Sequence, residues 1–322
     1  MNYITAYNSL IQSGEIVASR RVKQVYARLA AATADTSGQY IFDEARASRP
    51  IAFIERFCKH SKGEWAGQSI SLELFQKAYI QALYGFIDRD TGCRQYRESF
   101  FLVGRKNGKS TLLAGLALYM LTSDGEGGAE VYSTATKYAQ ARLLFDEAHN
   151  MIKQSPALAR HFRKRKSDLY YEPAMSKFQP LARNSDTLDG LNASFVIMDE
   201  LHGVKDRNLY EVMRQSQSAR RQPLMIMITT AGTVRECIFD DMYTYAANVA
   251  DGVIADLHFL PILYELDDRS EWTDPAAWIK ANPALGAIKK PDDLTAKVER
   301  AKQNRNELSG VCLLYTSDAA DE

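Results

Sequence analysis

The chain has 322 residues, 46% of them hydrophobic and 25% charged. That is enough for one large domain or two ordinary ones, and it excludes a disordered chain, a collagen-like repeat and a disulfide-dense scaffold. Forty Lys and Arg balance forty Asp and Glu, so any nucleic-acid contact has to come from a local patch and not from a basic chain as a whole.

Residues 1 to about 65 read as helical. Ile16, Val17, Val22, Val25, Tyr26 and Leu29 fall at helix-face spacings with Arg20, Arg21, Lys23 and Arg28 between them, which describes an amphipathic helix docked on a core in preference to a DNA-binding arm. A further helix is expected from Glu73 to Ile87, ahead of a turn at Asp90-Thr91-Gly92. From there strands and helices alternate. Ser99 to Val103 reads as a short strand, Lys109 to Leu121 as a helix apolar all round and hence buried, Val131 to Ala135 as a strand and Tyr138 to Lys153 as a helix. Leu169 to Leu181 reads as an irregular hairpin, and Ser194 to Met198 and Leu224 to Thr230 as buried strands flanking a helix at Leu209 to Ala219. The alternation predicts an α/β fold with a mostly parallel sheet covered on both faces. Residues 236–311, broken by Pro261, Pro275, Pro283 and Pro291, read as a mostly helical lid or linker.

The longest apolar run, Leu112 to Leu121, is half of what a membrane span needs, and Met1 to Thr5 lack the regions of a signal peptide. Cys58, Cys93, Cys237 and Cys312 stand far apart with no C-x-x-C. Neither structural zinc nor a disulfide framework is expected, and a reducing, cytosolic setting is.

The segment Val103-Gly104-Arg105-Lys106-Asn107-Gly108-Lys109-Ser110-Thr111 has an apolar strand before it and a helix after it, the context a phosphate-binding loop requires. Gly108 would let backbone N–H groups approach phosphate oxygens, with the helix N-terminus adding its dipole. Lys109 would reach the β- and γ-phosphates of ATP and Ser110 would bind Mg²⁺. The spacing departs from G-x-x-x-x-G-K-[ST], because Val103 stands at the first glycine position and Gly104 comes one place late. A solvated, basic strand–helix turn is the bland alternative.

Such a loop needs a second strand that ends in an acid. Phe195 to Met198 lead into Asp199 and Glu200. Asp199, at the carboxyl end of the strand, would hold the metal or its water, and Glu200 would accept a proton from an attacking water. His202 suits a capping role better than metal ligation. Thr229 and Thr230, at the end of the next strand, could sense a γ-phosphate or simply mark the strand's exit into a turn.

These motifs in order resemble the large terminase subunit of tailed bacteriophages: Arg105 to Ser110, then Asp189-Gly190-Leu191-Asn192, then Met198 to His202, then Ile228 to Gly232. Gly63-Glu64-Trp65-Ala66-Gly67, Phe75-Gln76, Thr136-Lys137 with Gln140-Ala141, and Lys280-Ala281-Asn282-Pro283 are similar to that family as well, so the likeness runs over residues 1–311. It implies a RecA-like, ASCE-type P-loop NTPase core at 66–235, with a helical segment before it and the lid or linker after it. The implied activity is an ATP- and Mg²⁺-dependent motor that packages double-stranded phage DNA into the prohead in the host cytoplasm. A small terminase subunit, the portal protein and a ring of identical subunits are the implied partners, with no membrane. By the same resemblance Arg105 contacts the γ-phosphate or couples to neighbouring groups. Gln76 reads the adenine edge, and Gly104, Lys106, Asn107 and Thr111 complete the nucleotide contacts. Thr229, Thr230 and Gly232 form the coupling motif, and the intersubunit arginine is sought among Arg183, Arg220 and Arg221.

The family's nuclease acids are expected beyond residue 311, because Asp267-Asp268 and Asp292-Asp293 read as a solvated turn and a helix N-terminus. Residues 312–322 resemble a translated sequencing adapter, which would place the end of the gene-derived sequence near Val311. Arg160, Arg163, Lys164, Arg165 and Lys166 fit DNA phosphate contact and a solvated hairpin equally. Two other functions compete with the packaging motor. A helicase-like ATPase would need a second RecA-like domain, for which the remaining residues are too few. A nucleotide-binding scaffold without turnover is disfavoured by the intact Lys109, Asp199 and Glu200.

Overall fold

The computed structural model describes residues 1–135, 137–182, 190–201, 207–230 and 238–304. The helices are α1 (Tyr3–Ser13), α2 (Arg20–Ala34), α3 (Glu44–Phe57), α4 (Leu74–Gly85), α5 (Lys109–Thr122), α6 (Tyr138–Gln154), α7 (Pro156–Ala159), α8 (Asn208–Gln215), α9 (Ile238–Ala250), α10 (Trp278–Ala281) and α11 (Pro291–Gln303). Strands β1 (Tyr40–Phe42) and β2 (Phe86–Asp88) form a small antiparallel pair. The other eight are β3 (Glu98–Leu102), β4 (Glu130–Ala135), β5 (Phe162–Lys164), β6 (Leu169–Tyr171), β7 (Ser176–Ala182), β8 (Phe195–Asp199), β9 (Leu224–Thr229) and β10 (Phe259–Leu263). They make one sheet in the order β10-β3-β9-β8-β4-β7-β6-β5.

From β10 to β7 every neighbouring pair is parallel, and β6 and β5 continue antiparallel. Strands buried on both faces read as unbroken apolar runs, which is why β9 and most of β8 show no alternation. Helix α5 is buried at every position from Leu112 to Leu121, and it packs against α3, α6, β4, β7 and β8. The α/β reading with a mostly parallel sheet therefore holds, and the irregular hairpin is β6–β7, interrupted by a short 3₁₀ turn at Glu172–Ala174.

Helix α2 docks on the core with Val22, Val25, Tyr26 and Leu29 buried, but it begins at Arg20, so Ile16 and Val17 of the expected face lie before it and Val17 is exposed. Ser19 caps it and donates to the Leu263 carbonyl at the end of β10. Arg20 and Arg21 pair with Asp251, and Arg21 also with Glu265, so these basic residues hold the helix on the core.

Three readings need correction. Tyr40–Phe42 is a strand inside the stretch read as helical, and the helix expected to reach Ile87 stops at Gly85, where Phe86–Asp88 pairs with that strand. More consequentially, Phe259–Leu263 is a strand of the main sheet, paired in register with β3. Pro261 had counted as a breaker there, but β10 is an edge strand, where a residue without an N–H is tolerated. The remainder of 266–301 builds a small second core around Leu266, Trp278, Leu294 and Val298. Among the described residues no helix is long and apolar enough to cross a membrane. Thr136, Arg183, Asp189, His202, Gly232 and residues 312–322 lie outside the described residues.

The amino-terminal edge of the sheet is locked by one buried ion pair. Arg94 bonds Asp124 at 2.5 Å with both side chains almost fully enclosed. Its Nε donates to the Gln222 carbonyl just before β9, and its guanidinium lies over the Tyr84 ring. Replacing Arg94 alone strands a buried carboxylate, so Arg94→Met is expected to lower unfolding free energy by about 3–5 kcal/mol. Urea denaturation measures this, and a loss below 1 kcal/mol would contradict the assigned role of the pair.

Candidate nucleotide site

The loop from Val103 to Gly108 leaves β3 at its carboxyl end, between β9 and β10. Val103 N–H donates to the Thr229 carbonyl (3.2 Å), which extends the strand pairing by one residue. Gly104 N–H donates to the Ala281 carbonyl at 3.0 Å. A Cβ at Gly104 would lie 2.3 Å from Asn282 Oδ1, so glycine is needed here for close approach to the 281–282 turn. Lys106 and Gly108 both take left-handed backbone angles, φ 65° and 77°. Asn107 is buried, and its Nδ2 donates to the carbonyls of Gly104 and Arg105 and to Asn282 Oδ1, while its Oδ1 accepts from Ala284 N–H. The loop is thus shaped from inside by one asparagine.

Lys109 opens α5, and its Nζ is shielded from solvent without a hydrogen-bond partner among the described residues. Burial pushes its pKa below the ordinary lysine value, against the opposing pull of Asp199 and Glu200 and with a smaller push from Arg105. Burial likewise raises the Asp199 carboxyl, while Lys109 lowers it. Asp199 closes β8, and the chain then turns at Glu200 through φ 56°. Glu200 N–H donates to Asp199 Oδ1 at 2.9 Å and to the Ile228 carbonyl at 3.1 Å. A non-glycine residue held in this region stores strain, which clusters at functional sites. Thr229 and Thr230 are fully buried at the end of β9; Thr229 Oγ1 donates to the Thr230 carbonyl, and Thr230 Oγ1 has no partner among the described residues.

Gln76 stands in the first turn of α4, where its Oε1 accepts from Glu73 N–H. Its Nε2 faces Gly108, 2.9 Å from where a Cβ would sit. Beside it is a cavity of about 310 Å³ walled by Trp65, His60, Gln76, Gly108, Thr111 and Ile288. A larger cleft of about 600 Å³ lies at the amino ends of β3, β9 and β10, where Arg214 pairs with Glu98 and Arg207 with Asp241. The smaller cavity adjoins the loop and is the better nucleotide candidate.

Gly104 to Thr111, Gln76, Asp199, Glu200, Thr229 and Thr230 therefore gather at one end of the sheet. Arg105, Lys106 and Ser110 are exposed, and Lys106 pairs with Asp293 at 3.5 Å. Arg220 and Arg221 instead bond carbonyls, Arg220 those of Asn192 and Gly128 and Arg221 that of Thr91. Asp267 accepts from Arg20 N–H and pairs with Lys280, Asp268 caps a 3₁₀ turn, and Asp292 and Asp293 occupy the first turn of α11. In the basic hairpin Arg163 pairs with Glu172, and Arg165 lies over the Tyr170 ring. The contributions of Asn282, Ile288 and Lys289 went unread; Asn282 had been noted only as part of a motif.

Two features fit a nucleotide: an enclosed ammonium without a hydrogen-bond partner among the described residues, and a left-handed glycine before a helix N-terminus, where N–H groups are available to an anion. A parallel-sheet loop of this kind, with the strand one place further along the sheet ending in carboxylates, defines a P-loop nucleoside triphosphatase fold. The family model for the terminase large subunit ATPase domain matches residues 74–248, and that for the terminase large subunit endonuclease domain matches residues 253–313. The chain belongs to the terminase large subunit family, whose ATPase domain has this RecA-like fold. It is 29% identical over 263 residues to the terminase large subunit of Enterobacteria phage HK97, covering 80% of this chain and 50% of that protein. It is 25% identical over 272 residues to that of Lactococcus phage p2, covering 82% and 50%. The crystal structure of the HK97 large terminase superposes with a TM-score of 0.72 at 26% identity, over 85% of this chain and 55% of that one. The chain thus spans about half the length of the curated relatives it matches.

Gly108→Ala places a Cβ 2.9 Å from Gln76 Nε2 and 3.2 Å from Ile288 Cδ1, at a φ that L-residues avoid. It is expected to destabilise the chain by about 1–2 kcal/mol, measured by urea denaturation. An unchanged midpoint would show that the loop relaxes at no cost.

Proposed function

We propose that this chain is an ATP-hydrolysing motor that drives double-stranded phage DNA into a prohead. The enclosed ammonium of Lys109, which has no hydrogen-bond partner among the described residues and follows directly on the left-handed Gly108 that lines the cavity, is the observation that carries the reading. Family membership supports the packaging role. The base would enter the cavity between Gln76, Trp65 and Ile288, and the phosphates would lie along Gly104 to Thr111 with Lys109 against the β- and γ-phosphates. Ser110 and Asp199 would hold Mg²⁺, which when bound supplies charge neutralisation to the phosphates. Glu200 would take the proton from the attacking water. Arg105, exposed at the loop, is the residue in reach of a γ-phosphate or a neighbouring subunit. Thr229, Thr230 and Gly232 would pass the loss of that phosphate to the sheet edge. The core so proposed runs past residue 235, because β10 is one of its strands. We place the motor in the host cytoplasm as a ring of identical subunits, with the small terminase subunit and the portal as partners.

Lys109→Ala removes the charge that balances the γ-phosphate as its bond breaks, and steady-state ATPase turnover should fall by at least about a hundredfold. Unchanged turnover in a folded variant would mean that the loop has been misassigned.

Glu200→Gln keeps shape and hydrogen bonding but removes the base. ATP affinity is expected to stay within about threefold of the parent while turnover falls by about a hundredfold or more. Titration calorimetry beside the turnover assay separates the two quantities. Equal loss of both would assign Glu200 a structural role.

A further inference from the structure

The shape of the phosphate loop depends on a turn that lies about 180 residues away in the sequence. Asn282 is fully buried, and all four of its polar groups are used, its carbonyl accepting from Leu285 N–H. Its backbone N–H and Nδ2 both donate to the Trp278 carbonyl, and its Oδ1 accepts from Asn107 Nδ2 (3.2 Å) and from Lys289 Nζ (2.5 Å). A flipped Asn282 amide would set an NH₂ against two other donors, so the ammonium of Lys289 fixes its orientation. Asn107 then carries the constraint into the loop through the carbonyls of Gly104 and Arg105, and Ala284 N–H closes the ring. Gly104 N–H bonds the Ala281 carbonyl, and the Ile288 side chain borders Gly108. The turn is closed on itself by Lys289 N–H to the Ala284 carbonyl and Gly286 N–H to the Lys289 carbonyl.

Lys289 is buried, and among the described residues no carboxylate forms an ion pair with it. Its pKa is lowered to about 8 by burial and by the cations Lys297 and Lys106, with Asp293 opposing. A buried ammonium held only by an amide oxygen is an expensive device for packing alone. Its cost is understandable where it sets the position of a neighbour.

We propose that Asn282 and Lys289 are positioning residues, a polar clasp that holds the phosphate loop in its nucleotide-receiving shape. The clasp rests on the nucleotide-site reading for its purpose, but its geometry stands without it. Neither side chain has a place in the proposed chemistry; both act through Asn107 and Gly104.

The test compares the parent chain with Asn282→Ala, Lys289→Met and Lys289→Arg. It measures ATP-γ-S affinity, ATPase KM and kcat, and amide hydrogen exchange. Losing one charge-assisted hydrogen bond should weaken ATP-γ-S binding and raise KM by about tenfold in Lys289→Met. Asn282→Ala should do at least as much, and kcat should stay within about threefold. Lys289→Arg, which keeps a cationic donor, should recover most of the affinity. Exchange should quicken over residues 104–108 while β3 and β9 stay protected. Parent-like affinity in both disabling variants would overturn the clasp, as would a fall in kcat at unchanged KM. Faster exchange spread equally through β3 and β9 would reduce both residues to general packing and overturn it too. A parent chain that binds no nucleotide would overturn the nucleotide-site reading instead. The clasp would then be judged on exchange at 104–108 alone, and unchanged exchange there would overturn it.

Discussion

Everything at the carboxyl end of the sheet answers to one constraint, an enclosed ammonium. Lys109 Nζ is shielded and has no hydrogen-bond partner among the described residues, and burial weakens its hold on its proton. The same burial works against ionisation of Asp199 across from it, and each charge moderates the other. A site that sets cations beside two carboxylates, with Lys109 and Asp199 drawn away from water, gains most from ligands that bring both signs of charge. A metal-bound polyphosphate has that composition. The rest of the fold keeps these groups enclosed: α5 is sealed on all sides, and β3 is flanked by parallel neighbours that carry their own ends to the same edge.

The unusual spacing of the loop has a structural cause. Where the common motif has its first glycine, Val103 continues the strand and bonds the Thr229 carbonyl. The need for a missing side chain arises one residue later, where Gly104 meets Asn282. The departure from pattern thus marks a contact with the 281–289 turn, and it makes that turn part of the loop's architecture. It also changes the standing of the region after residue 236. Its strand β10 belongs to the sheet, its turn supports the phosphate loop, and only the remainder of 266–301 keeps a small core of its own.

Charge placement separates the two clefts. At the amino edge Arg207 and Arg214 pair with acids and Arg220 bonds carbonyls, so most of the charge at the larger cavity is already engaged. At the carboxyl edge Lys109 Nζ and Thr230 Oγ1 have no hydrogen-bond partner among the described residues. Unspent hydrogen-bonding capacity, more than volume, distinguishes a binding site from a well-packed seam.

The local chemistry was legible in the sequence. The phosphate loop, the strand ending in Asp199 and Glu200, the sealed helix and the order of the motifs depend on residues close together in the chain, and apolar runs and turn residues report such features directly. The strand at Phe259–Leu263 was not legible, because Pro261 breaks a strand in general and is tolerated only at an edge, and edge position is a property of the sheet. The halt of α4 at Gly85 was hidden for a similar reason, since Phe86–Asp88 becomes a strand only by pairing with Tyr40–Phe42. Asn282 and Lys289 were the furthest from reach. An amide and a lysine in a polar turn carry no periodic signal, and their meaning comes from Asn107, a residue that only the folded chain brings within hydrogen-bonding distance. The sequence by itself determined which groups could handle a nucleotide; tertiary structure decided what holds them in place, because that support is built from contacts between residues distant in the chain.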